Sequence, residues 1–366
     1  MVIKRKIKKL IKILRTRNLK FLINRFSGKQ YSFTLTPTLL CNLKCQMCHQ
    51  CDIRKEHEQE LTTEEIKQIL ANMKKKGINQ VTLIGGEIFL DKKKIWEIID
   101  FMEKERILFA LSTNATLLTN EDIERIGKLK FLIEMDISVD GDEKIHDKIR
   151  GVNGSYSKTI NNIKKLKTVG VPLMIVTVLQ KDNLNMLESI AKSVKETGAD
   201  THTFVTEFSV TKKELDDSKS IIEKLSSNKA SFFMSHSVND TCFDYDLKKF
   251  NERIASLKEF CNANSINCLF SFEQETFNQI YDKSARNKSI LLCPNIEENS
   301  IQIDWTGKRD FCPFIRIHKM EESNALEKEF KIDSNELEEL RENVKKCNLL
   351  PVCTRCCGVK IKRRQP

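Results

Sequence analysis

Tyr31-Ser32-Phe33-Thr34-Leu35-Thr36-Pro37-Thr38-Leu39-Leu40-Cys41-Asn42-Leu43-Lys44-Cys45-Gln46-Met47-Cys48 joins a short strand to three cysteines spaced C-x3-C-x2-C. The strand is read over Ser32–Thr36, and the cysteines then fall in a loop rather than a helix. Zinc sites usually collect four ligands from paired CxxC units. Three thiolates within eight residues suit instead a cuboidal iron–sulfur cluster with one iron left open, which a substrate or cofactor can chelate. A structural zinc, with Cys51 or His49 as fourth ligand, is the alternative on spacing alone.

Outward from this loop the chain alternates strands and helices. Further strands are predicted over Gln80–Ile84, Ile107–Ser112, Ile133–Ser138, Leu173–Leu179 and Thr201–Val205, with helices near 62–76, 91–105, 119–128, 155–168 and 183–197. Thr62 with Glu65 makes a capping box, and Thr119 with Asp122 a weaker one. Connections of this length allow parallel crossovers, so the expected fold is α/β, a partial (β/α)6 TIM-like barrel with its chemistry at the C-terminal strand ends. After about residue 207 the pattern is charged, irregular and mostly helical, with an amphipathic helix over 246–263. Near the end, Ser300–Asp304 and Arg309–Pro313 flank Trp305-Thr306-Gly307-Lys308 as a hairpin, with Gly307 supplying the positive φ of its turn.

Composition places the chain among soluble globular proteins, 40% hydrophobic and 31% charged, and no apolar run approaches the roughly 20 residues of a membrane span. Residues 1–26 read as a basic amphipathic helix, with Ile3, Ile7, Leu10, Ile11 and Leu14 at helical spacing. No Asp or Glu precedes Asp52, while twelve Lys and Arg do, so the +11 net charge lies entirely at the front. That helix suits an anionic membrane surface, or packing on the barrel with its lysines in water. Without interleaved aromatics it does not suit specific nucleic-acid binding. The expected location is the cytoplasm, with a peripheral position at the inner membrane surface in view. In a reducing compartment, clustered cysteines point to metal rather than disulfides. The clusters are Cys41, Cys45, Cys48 and Cys51, then Cys293, Cys312, Cys347, Cys353, Cys356 and Cys357; Cys242, Cys261 and Cys268 are scattered and read as structural.

The triad's spacing resembles that of the radical S-adenosylmethionine (SAM) superfamily, and four further motifs follow in order. Gly85-Gly86-Glu87 is similar to the family's GGE, which lies against the cofactor's methionine amine; Ile88 stands where Pro is common. Ser112-Thr113-Asn114-Ala115-Thr116-Leu117-Leu118 resembles TNGTLL, with Ala115 for the usual Gly. Ser138-Val139-Asp140-Gly141 and then His146-Asp147 with Arg150-Gly151 resemble SxDG…HDxxRG, where Ser and Arg help hold the ribose and carboxylate of the cofactor. Met47 falls where the family places an apolar or aromatic residue near the adenine. The resemblance implies that Cys41, Cys45 and Cys48 hold a SAM-coordinating 4Fe–4S cluster, and that Met47, Gly85, Gly86, Glu87, Ser112, Asn114, Ser138, Asp140 and Arg150 bind SAM.

Cys293 and Cys312 flank the hairpin, with Gly307 set as in the C-x(9–15)-G-x4-C opening of SPASM and twitch extensions. Cys347-x5-Cys353-x3-Cys357 matches part of the SPASM pattern, but Val344 replaces its leading cysteine. The resemblance therefore implies one auxiliary 4Fe–4S cluster in electron transfer, on Cys293, Cys312, Cys353 and Cys356, with Cys347 and Cys357 as alternates; zinc is the alternative there. Four segments are expected: 1–30, the basic helix; 31–206, the core barrel; 207–290, a helical substrate-covering segment; and 291–366, a cysteine-rich hairpin and helix extension. The implied activity is reductive cleavage of SAM to a 5′-deoxyadenosyl radical that takes hydrogen from a substrate, with a flavodoxin- or ferredoxin-type reductant. The substrate is either a sugar-like or lipid-linked small molecule or a peptide. An electron-transfer or zinc-binding protein without catalysis is the non-enzyme alternative, disfavoured by the cofactor cradle.

Overall fold

The computed structural model describes residues 10–26, 31–48, 59–207, 212–213, 216–218, 230–232, 246–272, 289–292, 300–310, 315–317, 326 and 360–363. Six strands with helices between them open it. Strands β1 (Ser32–Leu35), β2 (Gln80–Leu83), β3 (Leu108–Thr113), β4 (Leu132–Ser138), β5 (Leu173–Leu179) and β6 (Thr201–Thr206) lie within one residue of their expected bounds. Helix α1 (Leu19–Phe26) precedes them. Between them run α2 (Thr63–Lys75), α3 (Lys92–Glu105), α4 (Asn120–Gly127), α5 (Glu143–Arg150), α6 (Ser155–Thr168) and α7 (Leu187–Glu196). Both capping boxes form, Thr62 with Glu65 and Thr119 with Asp122. Later come β7 (Ala230–Phe232), α8 (Leu247–Ala263), β8 (Cys268–Phe270), β9 (Ser289–Leu292), β10 (Ser300–Ile303), β11 (Arg309–Asp310), β12 (Ile315–Ile317) and β13 (Lys360–Arg363).

The main sheet has the order β11-β10-β1-β2-β3-β4-β5-β6-β8. All neighbours are parallel except β11 against β10, and among the described residues the two ends of the sheet do not pair. This is the open (β/α) barrel expected, enlarged from six parallel strands to eight. Along each strand one face is sealed: Leu35, Leu83, Leu111, Ile137 and Ile175 are fully buried and share a core with Ile69, Ile98, Ile163 and Ile190 of the helices. Each such side chain contributes about 1.5–3 kcal/mol by leaving water. The alternate positions Thr34, Thr82, Ser112, Asp136, Ser138 and Thr203 are half-buried on the other face, so the barrel's interior wall is largely polar.

Three expectations change. The hairpin β10–β11 is not confined to a C-terminal extension: β10 pairs in parallel with β1, Ser32 opposite Ser300 and Leu35 opposite Ile303. Its alternation of Ile301 and Ile303 with Ser300 and Gln302 gives it the sealed face of a barrel strand. Gly307 does take the positive φ of its turn, 87°. Among the described residues 10–26 of the expected N-terminal helix there are two helices, 10–15 and α1, broken where Arg17 has φ 53° and Asn18 Oδ1 accepts from Phe21 N; residues 1–9 lie outside the described residues. Finally, Cys261 and Cys268 are joined as a disulfide rather than lying as separate thiols, because the turn after α8 returns directly into β8.

Candidate functional site

The cysteine loop leaves the C-terminal end of β1 and is fixed by its backbone. Lys44 N donates to Arg150 O (3.0 Å) and Gln46 N to Ile149 O (2.9 Å), tying the loop to the end of α5. There Gly151 turns with φ 68°, and a side chain on it would strike Lys44 O at 2.5 Å. Cys41, Cys45 and Cys48 are outside any disulfide and all half-buried. Two carry N–H groups aimed at sulfur: Asn114 Nδ2 at Cys41 (3.9 Å) and Arg150 Nη1 at Cys45 (3.7 Å). Burial pushes the Cys45 thiol up, and the Arg150 guanidinium partly offsets this.

Arg150 is locked by Asp140, which is fully buried. Asp140 Oδ2 accepts from Arg150 Nε (2.6 Å) and faces Nη2 (2.5 Å), while Oδ1 accepts from Val178 N (2.8 Å). Asp140 N in turn donates to His146 Nδ1 (3.2 Å), which fixes the proton of a neutral imidazole on Nε2. Burial, reinforced by the Arg150 charge, lowers His146 to about 4. Asp147 closes the motif by accepting from Gly154 N, Ser155 Oγ and Tyr156 N at the start of α6.

The glycine pair packs beneath the cysteine loop. Gly86 N donates to Thr38 O (2.9 Å) and Glu87 N to Leu40 O (2.7 Å). A Cβ on Gly86 would lie 2.1 Å from Leu40 O, and one on Gly85 2.3 Å from Thr38 O. The glycines thus admit the chain's own backbone on this side. Glu87 is fully buried and accepts from Phe89 N (3.0 Å), Thr113 Oγ1 (2.7 Å) and Asn114 N (2.8 Å). Burial raises its carboxyl. Beyond β3, Asn114 Nδ2 donates to Asn42 Oδ1 (3.0 Å) and Asn42 Nδ2 to Thr116 Oγ1 (2.8 Å), stitching this loop to the cysteines. Ala115 takes the left-handed φ of 59° that glycine would occupy without strain. Thr159 Oγ1 and Asn162 Nδ2, from α6, hold it there by donating to Asn114 O and Ala115 O.

The structure therefore brings Cys41, Cys45, Cys48, Asn114 and Arg150 together, with Met47 in the same loop and Ser112 and Ser138 on the interior wall below. The Glu87 and Asp140 carboxylates are fully buried in the wall with their partners in place. The sequence motifs did not single out Asn42, Thr116, Thr159 or Asn162, whose roles depend on contacts across the fold. Nor did they mark Glu60, which accepts from Leu39 N (3.0 Å) and Thr38 Oγ1 (2.7 Å) at the entry to the loop. Cys293, Cys312, Cys347, Cys353, Cys356 and Cys357 lie outside the described residues, as do His49 and Cys51.

Among the described residues, no three Cys, His, Asp or Glu side chains converge on a single point as a lone zinc ion requires. Cys41, Cys45 and Cys48 would each hold one iron of a cuboidal cluster. Half-buried thiols with N–H groups directed at sulfur fit that group and compensate its charge.

Residues 35–194 match the model of the Radical SAM superfamily. They form a radical SAM domain, the class of enzyme domain that holds a 4Fe–4S cluster and SAM. Among curated proteins the chain is 28% identical over 174 residues to the sporulation killing factor maturation protein SkfB of Bacillus subtilis (strain 168), covering 46% of this chain and 40% of that protein. It is 31% identical over 160 residues to an AdoMet-dependent heme synthase of Methanosarcina barkeri, covering 43% and 45%. The matched part thus spans under half the length of these relatives. Among solved structures, Streptococcus suis SuiB bound to precursor peptide SuiA superposes with TM-score 0.59 at 16% identity, over 88% of this chain and 70% of that one. Native anSMEcpe with bound AdoMet and Cp18Cys peptide gives 0.62 at 17%, over 89% and 90%. At these identities the shared property is the fold.

Proposed function

We propose that this chain is a radical SAM enzyme that modifies a peptide. The observation that carries the first part is the triad itself: three half-buried cysteines at the barrel mouth, backed by Arg150 and Asn114. When bound, the cluster and SAM supply an electron and a 5′-deoxyadenosyl radical that takes hydrogen from the substrate. Cys41, Cys45 and Cys48 hold the cluster, and the Arg150 N–H at Cys45 balances thiolate charge. Asn114 keeps the loop after β3 in register with the cysteines, and Ser112 and Ser138 present hydroxyls from the wall to a polar ligand. The peptide substrate is supported by the relatives, of which SkfB is named a maturation protein and SuiB was solved with its precursor peptide. An auxiliary 4Fe–4S cluster on Cys293, Cys312, Cys353 and Cys356, and a flavodoxin- or ferredoxin-type reductant, complete this reading.

The test is anaerobic reconstitution, reduction with dithionite and measurement of 5′-deoxyadenosine, with Cys45→Ala as control. No product above that control defeats the enzyme reading. Precursor peptides encoded beside the gene are then assayed by mass spectrometry for loss of hydrogen. A chain that forms 5′-deoxyadenosine but alters no such peptide, while altering a sugar or lipid-linked substrate, defeats the peptide assignment alone. Cys312→Ala with unchanged product formation defeats the auxiliary redox role.

A further inference from the structure

The two N-terminal helices lie against the underside of the barrel, the end opposite the cysteines. Lys12 Nζ donates to Leu132 O, at the start of β4, and Asn18 Nδ2 to Lys74 O (3.1 Å), in the last turn of α2. Ile13 and Phe21 are buried and pin the pair in place. The apolar stripe is thereby divided, because Leu10, Ile11, Leu14, Leu19 and Ile23 remain outside at 45%, 43%, 51%, 72% and 57% exposure. These account for five of the eight large apolar side chains that are exposed among the described residues.

The charge on the two helices themselves has one sign, since no Asp or Glu precedes Asp52. Arg15, Arg17 and Lys20 are exposed between the apolar residues, and Lys128 and Lys130 are exposed beside the start of β4. The neighbouring acids are engaged: Glu105 with Lys74 (2.8 Å), and Glu103 with the backbone N–H groups of Lys130 and Phe131. Lysines in the last turn of a helix also suit its dipole, which accounts for Lys74 and Lys75 but not for exposed leucines set among arginines. A basic surface studded with apolar side chains matches a bilayer bearing anionic headgroups, which asks for no shaped pocket. No helix among the described residues is long and apolar enough to cross a membrane, so contact would be at the surface.

We infer that residues 10–23 dock the underside of the barrel on an anionic lipid bilayer, with the mouth facing away from it. Leu10, Leu14, Leu19 and Ile23 enter the headgroup region, while Arg15, Arg17 and Lys20 meet lipid phosphate. Substrate then reaches the cysteines from the aqueous side, which suits a peptide better than a lipid held in the same bilayer. This inference does not rest on the chemistry proposed above.

The test is flotation of the full-length, cluster-loaded protein with vesicles of phosphatidylcholine alone or mixed with phosphatidylglycerol. Binding is expected to the mixed vesicles only, and to weaken as salt is raised. Leu14→Asp and Leu19→Asp should each lower partitioning about tenfold or more. Arg15→Glu/Lys20→Glu should lower it with no change in apolar area, and serves if the aspartate variants fold poorly. Cys45→Ala should bind like the parent protein. Equal binding to neutral vesicles, or Leu14→Asp/Leu19→Asp floating unchanged, overturns the proposal. So does light scattering that shows these variants turning a dimer into a monomer, since the face would then join two copies of the chain.

Discussion

Replacing Asp140 by Asn keeps the shape beneath Cys45 and removes one charge. The Arg150 guanidinium would then be buried against a neutral amide whose NH2 competes for the place of the oxygen that Nε and Nη2 now share. Two unit charges about 4 Å apart at an effective dielectric near 20 attract by about 4 kcal/mol. Breaking a buried pair by removing one partner costs about 3–5 kcal/mol. Asp140→Asn should therefore lose about 3–5 kcal/mol of unfolding free energy in urea, and it should retain less iron on anaerobic reconstitution because Arg150 no longer holds its place at Cys45. Asp140→Leu/Arg150→Met separates the two effects. An apolar replacement of the whole pair should recover stability to within about 1–2 kcal/mol of the parent, yet leave Cys45 without its N–H donor. Iron retention and 5′-deoxyadenosine formation should stay low. A cost under about 1 kcal/mol for Asp140→Asn refutes the assignment of the pair as a buried clamp. Parent-level product from the double variant refutes its connection to the cluster.

Three further outcomes follow from the same contacts. Ala115→Gly should raise stability by about 1 kcal/mol, seen as a higher urea midpoint, because it relieves a left-handed alanine; an unchanged or lower midpoint contradicts the strain. Gly86→Ala should cost at least about 2 kcal/mol and most of the bound iron, since the atoms its Cβ meets are backbone carbonyls of the cysteine loop. Stability should fall as pH drops below about 6.5, because the unfolded chain protonates His146 and the buried His202 of β6 there, while burial lets the folded chain do so only near 4 and near 3. Each contributes about 1.4 kcal/mol of loss per pH unit within its window. The raised Glu87 carboxyl works in the opposite sense. The discriminating measurement is thus whether His202→Gln flattens the urea midpoint between pH 6.5 and 5.

The barrel was readable because local signals agreed with it. The apolar, β-branched run Leu173–Leu179 and the capping boxes at Thr62 and Thr119 fix elements within a few neighbours of themselves. Strand β10 escaped as a barrel strand because four residues, Ser300–Ile303, read equally well as half of an isolated hairpin; what decides the matter is the open edge of β1. Helix α5 escaped because His146, Asp147 and Arg150 drew attention as a motif, although Asp142 caps it through Ile145 N. At the site, residue types told which groups gather but not which way each faces. A linear motif does not show that the Glu87 carboxylate is sealed inside the wall or that Arg150 is divided between Asp140 and Cys45. Such assignments depend on burial, which arises from residues far away in the chain.

The pairing of β10 with β1 also sets a schedule for synthesis. Some 270 residues separate Leu35 from its partner Ile303, so at about 5–20 residues per second the ribosome needs between about ten seconds and about a minute to deliver that partner. Through that interval β1 is an edge strand with one row of backbone groups open to water or to another chain. The newborn barrel is one strand short beside its own cysteines. Its first vulnerable surface and its first cluster ligands emerge together.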